Sequence, residues 1–480
     1  MPKKPTKIPE FLKKHKSVLL TALLIAALCI VLSCTGGKRD RCVITAQYDA
    51  QGHVLSVHQT LQLKNRTGQK LTHLYLNLPA NAFAAESTAP VPKNEFAHAY
   101  PDGFDAGSVT MEHVTAAGGE ADYAWEGEQR TLLRITLPFA LRAGGSVEIG
   151  LDYTVTLGKN RLRTGWSDRD VRLCNVFALP CLHDGQAFYT DGYSAIGDPF
   201  YSACMDWEVT LTAPESYYAA GAGFVEENDG VWRYTLRNAR DFALILSDKW
   251  HKAQHEQDGI LLSSLAFDEA RAEDALDYAA QALDVYTALF GDYPYEDFTV
   301  CAGDFYVGGM EYPGLALIDA SLYGSEDGML ELVTAHEAAH QWWYAAVGSD
   351  PIRHPWQDEA LAEYTTLLYY ESVYGAHSFD SLYSAMLRPA TESANLRGVG
   401  IAQGLDKFES TALYDALIYR KGAAMLHDVR VHMGNDAFFE ALRNYYEDNR
   451  FGVAVPEDLF SALGRDGGAV LTDWLRGNAP

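Results

Sequence analysis

Two histidines one helical turn apart, with a glutamate between them, are the residues of this chain that point most directly to chemistry. They are His336 and His340, with Glu337 between them, in the stretch AHEAAHQWWYAAVG. On an α-helix, positions i and i+4 lie on one face, so both imidazoles can bind one metal ion. Glu337 projects beside them and can take a proton from a water that the metal holds. Such a short match also arises by chance, so the surrounding sequence has to support it.

A third ligand is required, because a catalytic zinc site takes three protein ligands and keeps one position for water or substrate. The segment WQDEALAEY supplies a candidate in Glu359, nineteen residues after His340. The intervening GSDPIRHPW contains the glycine and prolines that turn a chain, so the second helix can return antiparallel and place Glu359 against the histidines. His354, in this turn, is interpreted as a surface residue.

The hydrophobic pattern predicts how these residues are positioned. From about Cys42 to Trp250, apolar and polar residues alternate, which is typical of a largely antiparallel β domain. The alternating stretches are HVLSVHQTLQLKN, HLYLNLP, TLLRITLPFAL and SVEIGLDYTVTL. From about Asp268 the apolar residues recur at three and four, beginning with a helix that stops at Gly291. We place the boundary near residue 255, between domains 42–255 and 256–480.

Short strands and further helices complete the second half. DFTVCAG and GLALID are interpreted as strands, and a helix from about Ser325 to Val347 contains the two histidines. Two more helices, at roughly 357–374 and 412–433, precede a helical tail. The predicted fold class is therefore α+β, with an antiparallel β domain followed by a mainly helical one.

The zinc motif and its spacing resemble peptidase family M1. In this family of gluzincin zinc peptidases, which includes membrane alanyl aminopeptidase and leukotriene hydrolase, His-Glu-x-x-His is followed after eighteen residues by a glutamate. The resemblance implies that His336, His340 and Glu359 bind one zinc ion. It also implies that Glu337 is the general base.

The likeness extends beyond the zinc ligands. Glu363 matches the glutamate of the family's AEY and would be a partner of a ligand histidine, while Asp358 stands where the family usually has asparagine. The segment GDPFYSACMDWEVTLTAPESYYAAGAG resembles the family segment that leads into the catalytic domain. The resemblance implies a saddle-shaped β domain and a thermolysin-like catalytic domain. The chain would be a short bacterial, lipoprotein-like member without the C-terminal helical domain and with a more open cleft.

The stretch YVGGMEYPGLALID resembles the Gly-x-Met-Glu-Asn motif of the same family, in its Gly-Gly-Met-Glu-Tyr-Pro form. The resemblance implies that Glu311 accepts the α-amino group of a peptide, with the backbone of Gly308, Gly309 and Met310 beside the substrate. An ammonium in a partly dry pocket needs a carboxylate partner, and this pairing would set the cut one residue from the amino terminus. The alternative is a turn-rich hairpin with an exposed glutamate.

Three tyrosines and one glutamine match the motifs of this family less completely. IYRKGAAML resembles the family's Tyr-x-Lys-Gly context, which implies that Tyr419 donates a hydrogen bond to the oxyanion of the reaction. Tyr414 is the reserve candidate for that role. Tyr312 replaces the family's asparagine and leaves the preference of the first pocket open. Gln186 is a candidate for the β-domain residue that assists amine binding in the family.

Together these residues imply a zinc-dependent aminopeptidase acting on peptides with a free amino terminus. A thermolysin-like endopeptidase shares the zinc chemistry but does not need Glu311. An epoxide hydrolase of the leukotriene type is a further alternative by family analogy. A surface module that binds zinc for sensing, without turnover, is the alternative from a different class, and the intact Glu337 and Tyr419 argue against it.

The charge distribution and the targeting signals limit which partners the protein can bind and where in the cell it can be located. Residues 1–41 hold 9 Lys or Arg against 2 Asp or Glu, which leaves 29 against 62 in the rest of the chain. The rest of the chain is so acidic that it repels nucleic acid, which argues against a DNA- or RNA-binding role. The basic start precedes an uncharged apolar run, Ser17 to Ser33, which is followed at once by Cys34. This pattern is typical of a targeting segment rather than of a folded domain.

The ending VLSC resembles a bacterial lipoprotein signal, in which the cysteine, here Cys34, becomes lipid-modified. An uncleaved membrane helix is the alternative, although the run is at the short limit for spanning a bilayer. Lysines before an apolar run favour the inside, so either anchor places the body on the extracytoplasmic face of a bacterial membrane. Of the cysteines in the body, Cys174, Cys181 and Cys204 are candidates for disulfide pairing in an exported protein.

The lipoprotein interpretation predicts that Cys34→Ser abolishes the incorporation of a labelled fatty acid into the protein in bacteria. Only the thiol of this cysteine would carry the lipid, so Cys42→Ser, as the control, should be labelled like the wild type. Radiolabelling or mass spectrometry of the purified chain measures the outcome. Normal labelling of Cys34→Ser would exclude the lipid anchor.

Overall fold

The structure, a computed structural model, describes residues 39–198 and 201–479. Cys34 and the apolar run before it lie outside the described residues, so the membrane anchor stays a prediction. Within the described ranges, none of the helices has the length and apolar character needed to cross a bilayer. From Arg41 onward the chain forms one compact unit.

The alternating stretches of the first half form strands, as predicted. They are β1 (Arg41–Asp49), β2 (Val54–Lys64), β3 (Leu71–Asn77), β4 (Ser108–Ala116), β5 (Gly119–Glu120), β6 (Tyr123–Glu126), β7 (Leu132–Leu141), β8 (Ser146–Thr156), β9 (Thr164–Trp166), β10 (Val171–Leu173), β11 (Leu179–Pro180), β12 (Met205–Thr212), β13 (Tyr218–Ala220), β14 (Phe224–Asn228), β15 (Val231–Ala239) and β16 (Leu244–Ser247). Eight of them make one sheet in the order β14-β15-β12-β1-β2-β8-β4-β5. Pairing in this sheet is antiparallel except between β1 and β12, which run parallel.

A second, five-stranded sheet carries part of the candidate site. Its strands are β17 (His251–Gln257), β18 (Ile260–Ala266), β19 (Asp297–Gly303), β20 (Gly309–Tyr312) and β21 (Leu315–Asp319), in the order β17-β18-β19-β21-β20. DFTVCAG and GLALID form β19 and β21 as predicted. Position 255 lies inside β17, which pairs with β18. The division of the chain at this residue stays a prediction.

One short helix lies in the first half and the others follow in the second half, several of them at positions that the apolar spacing predicts. They are α1 (Phe96–Ala99), α2 (Glu269–Phe290), α3 (Met329–Ala339), α4 (Trp356–Tyr374), α5 (Ala376–Leu382), α6 (Arg388–Glu392), α7 (Thr411–Tyr414), α8 (Gly422–Met433), α9 (Asn435–Asn449) and α10 (Pro456–Arg476). The side chain of Asp268 caps the start of α2 by accepting from the backbone of Arg271. Gly291 ends α2, as glycine commonly does after a helix.

The helix that carries His336, α3, is shorter than predicted and ends before His340. It begins after Gly328, which has a φ of +80°, and its regular part ends at Ala339. A π-helical turn, Gln341–Ala346, follows, and within it Trp343 and Tyr344 leave helical geometry. The prediction of one helix from about residue 325 to 347 is therefore wrong at both ends, because a left-handed glycine starts the helix and a tertiary contact reshapes its end.

That tertiary contact comes from Arg240, whose side chain is fully buried. Its guanidinium donates to the carbonyl oxygens of Ala345 at 3.2 Å and Ala346 at 3.1 Å, both in the π-helical turn. It also donates to the carbonyls of Ser202 at 2.9 Å and Gly452 at 2.7 Å. One residue of the β-rich part thus joins the turn after the histidines to two distant segments.

Among the described residues, Cys174 and Cys181 form no disulfide bond. The structure therefore contains no disulfide bond between any two of the candidates Cys174, Cys181 and Cys204. Cys174 is fully buried, close to the hydroxyl of Tyr312. Burial raises the pKa of Cys174 to about 12, so this thiol behaves as a small apolar side chain.

Arg240→Met should lower the free energy of unfolding by at least about 3 kcal/mol, because several buried carbonyl groups lose their donor at roughly 1–3 kcal/mol each. The matched control is Arg237→Met, since the Arg237 side chain is 74% exposed. We expect the control to change stability by less than about 0.5 kcal/mol. Chemical denaturation followed by fluorescence measures both, and equal effects of the two variants would contradict this role.

Candidate metal centre and active site

His336 and His340 turn their Nε2 atoms toward one point. The two Nε2 atoms are 3.2 Å apart. The Nδ1 of His340 lies 3.1 Å from the carbonyl oxygen of Trp343, which can accept its proton. This contact favours the tautomer whose Nε2 lone pair is free for a metal. The kink at Trp343 therefore has a direct effect on the site, because it brings that carbonyl within reach.

Glu359, on the neighbouring helix α4, completes a triangle of ligand atoms. Its Oε2 lies 3.5 Å from Nε2 of His336 and 3.4 Å from Nε2 of His340. Tetrahedral zinc with ligands at about 2.0–2.2 Å holds them roughly 3.4 Å from one another. This Oε2 is buried and makes no hydrogen bond to the rest of the described chain. The donor set and its spacing therefore fit a zinc ion.

The charges around these atoms also fit a cation. Burial by itself would raise the pKa of Glu359, but its contacts with His336 and His340 hold that pKa well below the ordinary value. Burial would lower the pKa of His336, yet Glu359 and Glu363 raise it to about 9. The local field is thus strongly negative, and a divalent ion would balance it.

Glu363, one turn after Glu359, lies behind the first histidine. Its Oε2 is 3.4 Å from Nδ1 of His336, and its other oxygen accepts from the guanidinium of Arg420. Arg420 in turn pairs with Asp415 at 3.2 Å. The structure therefore places Glu363 where it can orient the imidazole of His336.

Glu337 projects into the same cavity from α3. Its Oε2 is buried and has no hydrogen-bond partner among the described residues. Burial, opposed by His336 and His340, raises the pKa of Glu337 to about 7. A side chain on Gly309 would meet Oε1 of Glu337 at 2.1 Å, so glycine is required there to leave room for this carboxylate. The geometry places Glu337 where a base can act on a water at the metal.

Glu311 lies on β20, the edge strand next to the metal ligands. Only 6% of it is exposed, so the alternative of a hairpin with an exposed glutamate is wrong. One of its oxygens lies within 4.8 Å of ligand atoms of Glu337 and His340. Burial, together with the charge of Asp198, raises the pKa of Glu311 well above the ordinary value. A cationic group next to this carboxylate would offset the free-energy cost of burying its negative charge.

Tyr419 is closer to the metal ligands than the reserve candidate. Its ring stacks against that of His336 with centroids 5.8 Å apart. Tyr414 packs edge-on against Tyr419 at 5.6 Å, and its hydroxyl lies against Gly197. Both tyrosines line the cavity, but only Tyr419 is seen to stack on a ligand histidine.

The cavity that contains these residues has a volume of about 360 Å³. The structure also brings to it a pair that the sequence did not indicate, Arg163 and Asp198, joined at 2.6 Å. Their signal in the sequence is weak, because both lie in loops of the β-rich part. Gln186 is exposed and is not among the residues lining the cavity, so the structure does not bring it to the site.

Two polar residues in or just before α4 do not join the cluster of candidate metal ligands. Asp358 is buried beside Glu359, and burial together with that neighbour raises its pKa well above the ordinary value. His354 is half-buried in the turn before α4 and does not line the cavity. Neither residue is brought to the metal position.

Residues 274–475 match the Peptidase family M1 domain. This part of the chain belongs to peptidase family M1. The aminopeptidase N of Lactococcus lactis subsp. lactis is 24% identical over 323 residues, which cover 60% of this chain and 37% of that protein. The aminopeptidase N of Lactobacillus delbrueckii subsp. lactis is 28% identical over 322 residues, 62% of this chain and 37% of that protein. The chain thus spans less than half the length of these curated relatives.

A solved structure shares the fold of nearly the whole chain. The M1 zinc metallopeptidase from Deinococcus radiodurans has a TM-score of 0.62 and 20% identity, over 92% of this chain and 94% of that one. A mutant of an M1 zinc metallopeptidase from the same organism, bound to the substrate Tyr-Ser-Ala, matches with a TM-score of 0.63 and 19% identity over 92% of this chain and 95% of that one. The likeness confirms the predicted α+β fold class, with β structure before the helical M1 domain.

Replacing either histidine of the M1 motif should abolish tight zinc binding. We expect His336→Ala and His340→Ala to retain less than about a tenth of the zinc of the wild type, because each removes one of three protein ligands. His354→Ala is the matched control and should retain all of it. Elemental analysis after dialysis measures the metal, and full zinc content in either ligand variant would contradict the assignment.

Proposed function

We propose that the chain is a zinc-dependent aminopeptidase that releases the first residue of peptides with a free amino terminus. The observation that carries the proposal is the position of Glu311. Its carboxylate lies in the same cavity as the metal ligands, within 4.8 Å of ligand atoms of Glu337 and His340. A buried carboxylate at this distance supplies a partner for the substrate's ammonium group.

Distance along the substrate favours cleavage of the first peptide bond. The nitrogen and carbonyl carbon of one residue are roughly 2.5 Å apart through Cα, whereas the next carbonyl carbon lies at least about 3.3 Å further along an extended chain. An ammonium held by Glu311 therefore brings the first carbonyl, rather than the second, to Glu337 and the metal ligands.

The side chains then have separate tasks. A zinc ion held by His336, His340 and Glu359 would supply Lewis-acid chemistry at the reacting water and carbonyl. Glu337 accepts a proton from the attacking water and delivers it to the nitrogen of the leaving amine. Tyr419 donates a hydrogen bond to the carbonyl oxygen as negative charge develops there, a contribution of about 3 kcal/mol when such a donor is well placed.

The rival functions use the site less completely. An endopeptidase gains nothing from a carboxylate buried like Glu311, since its substrate has no ammonium at that position. An epoxide hydrolase for an anionic lipid would have to overcome the excess of carboxylates in the cavity walls. A zinc-sensing module needs neither Glu337 nor Tyr419 beside the ligands.

The comparisons support the same substrate class. The curated relatives are named aminopeptidase N, and the M1 enzyme from Deinococcus radiodurans has been captured with the peptide Tyr-Ser-Ala. We extend the proposal to the location of the activity, on the extracytoplasmic face of a bacterial membrane. That part rests on the basic and apolar segments of residues 1–41 alone.

The proposal is tested with the full-length protein in detergent, given leucyl and alanyl fluorogenic amides in free and N-acetylated forms. We expect the free forms to be cleaved at least 100-fold faster, and a zinc chelator to abolish cleavage. Glu311→Gln should raise KM for the free forms at least tenfold, because the ammonium loses its charged partner. Glu337→Gln should keep zinc and lower kcat by roughly a thousandfold.

The control for both glutamate variants is Glu326→Gln, an exposed residue just before α3, which should behave like the wild type. Preferential cleavage of acetylated peptides at internal bonds would support the endopeptidase instead. Unchanged kcat in Glu337→Gln would show that another group is the base.

A further inference from the structure

A segment of the β-rich part lines one side of the active-site cavity. Residues 79–104, which we call the wall segment, lie between β3 and β4. Its buried Phe83, Val91 and Tyr100 form an apolar cluster separate from the main core, and Tyr306 of the β19–β20 loop packs against this cluster. The wall segment therefore has its own packing and holds a fixed position beside the M1 domain.

Glu95 of the wall segment reaches across to two elements of the M1 domain. Its Oε1 accepts from the hydroxyl of Thr411, on α7, at 2.6 Å. Its Oε2 accepts from the hydroxyl of Tyr306, in the β19–β20 loop, at 3.2 Å. Glu95, Tyr306 and Thr411 all line the cavity. Two acceptor sites of a carboxylate are thus used, and about two remain for a ligand.

Charge pairing sets Glu95 apart from the other carboxylates that line the cavity. Arg163 pairs with Asp198, and Arg420 pairs with both Glu363 and Asp415. The three zinc-site glutamates have partners in the proposed function: Glu359 takes the metal, Glu311 the substrate's ammonium and Glu337 the proton of water. Among the described residues, Glu95 has hydroxyl donors but no cation within ion-pair distance.

In the proposed function, the first side chain of the substrate needs a wall of the cavity other than those of Glu311 and Tyr419. With the amino group at Glu311 and the first carbonyl at Tyr419, the tetrahedral Cα between them must direct its side chain to a different wall. Val307 of the β19–β20 loop and Tyr414 of α7 line such a wall. Glu95 binds one residue of that loop and one of that helix, so its carboxylate lies beside both elements.

Resting on the proposed function, we infer that Glu95 is a specificity-determining residue that gives the first-residue pocket a preference for the cationic side chains of arginine and lysine. A charged hydrogen bond to a partly buried carboxylate is stronger than one to a neutral group. The rings of Tyr306 and Tyr414 add faces on which a guanidinium can stack. A neutral side chain of the same shape would leave the carboxylate without a cation.

The test compares arginyl and citrullinyl fluorogenic amides, which differ in charge but hardly in shape, with a leucyl amide as reference. With the full-length protein we expect kcat/KM for arginine to exceed that for citrulline at least tenfold. Glu95→Gln should bring the two within about twofold while changing leucine turnover by less than twofold. Glu86→Gln, at an exposed position of the wall segment, should keep the arginine preference.

Thr411→Val tests the hydrogen bond between Thr411 and Glu95 separately from the charge of Glu95. It removes the hydroxyl donor but keeps the carboxylate, so the arginine preference should persist. An equal loss on all three substrates in Glu95→Gln, with an unchanged melting temperature, would show a purely structural bridge and overturn the inference. A wild type without arginine preference would overturn it too, whatever the variants do. Leucine turnover in those cases leaves the aminopeptidase proposal standing, whereas absence of all turnover would defeat both.

Discussion

The structure depends on keeping several carboxylates buried around two histidines. Glu311, Glu337, Glu359 and Glu363 are each at least 94% buried. Charges this close and this far from water repel one another strongly unless cations balance them. His336 and Arg420 balance Glu363, and the spacing of the remaining acceptor atoms fits zinc and an ammonium group. In the proposed function, these cations are the metal ion and the amino end of a peptide.

The backbone around the second histidine shows how the rest of the fold serves that centre. Regular helix ends at Ala339, and the following π-helical turn brings the Trp343 carbonyl to the imidazole of His340. Arg240, which belongs to the β-rich part, satisfies carbonyls of that turn. Buried backbone groups that lack hydrogen bonds destabilise the fold. The buried guanidinium of Arg240 supplies those hydrogen bonds and so stabilises the kinked backbone.

The β-rich part is consequently more than a support for the M1 domain. It contributes the Arg163–Asp198 pair and Glu95 of the wall segment to the lining of the cavity. In the proposed function, these groups act on the substrate rather than on the metal. The M1 domain then holds the groups that react, and residues of both parts distinguish one peptide from another.

The amino-acid sequence by itself determined what depends on local spacing. Positions i and i+4 of a helix share a face whatever surrounds them, so His336 and His340 were recognisable as a pair, and Glu359 followed from the turn between two helices. Alternation likewise predicted the strands, and apolar spacing that stops at Gly291 predicted α2. Tertiary structure decided whatever joins residues far apart in the chain. Packing between distant segments, which no local pattern encodes, determines four features of the site and its surroundings. They are the burial of Glu311, the position of Asp198 in the cavity, the free thiol of Cys174 and the contacts of Glu95.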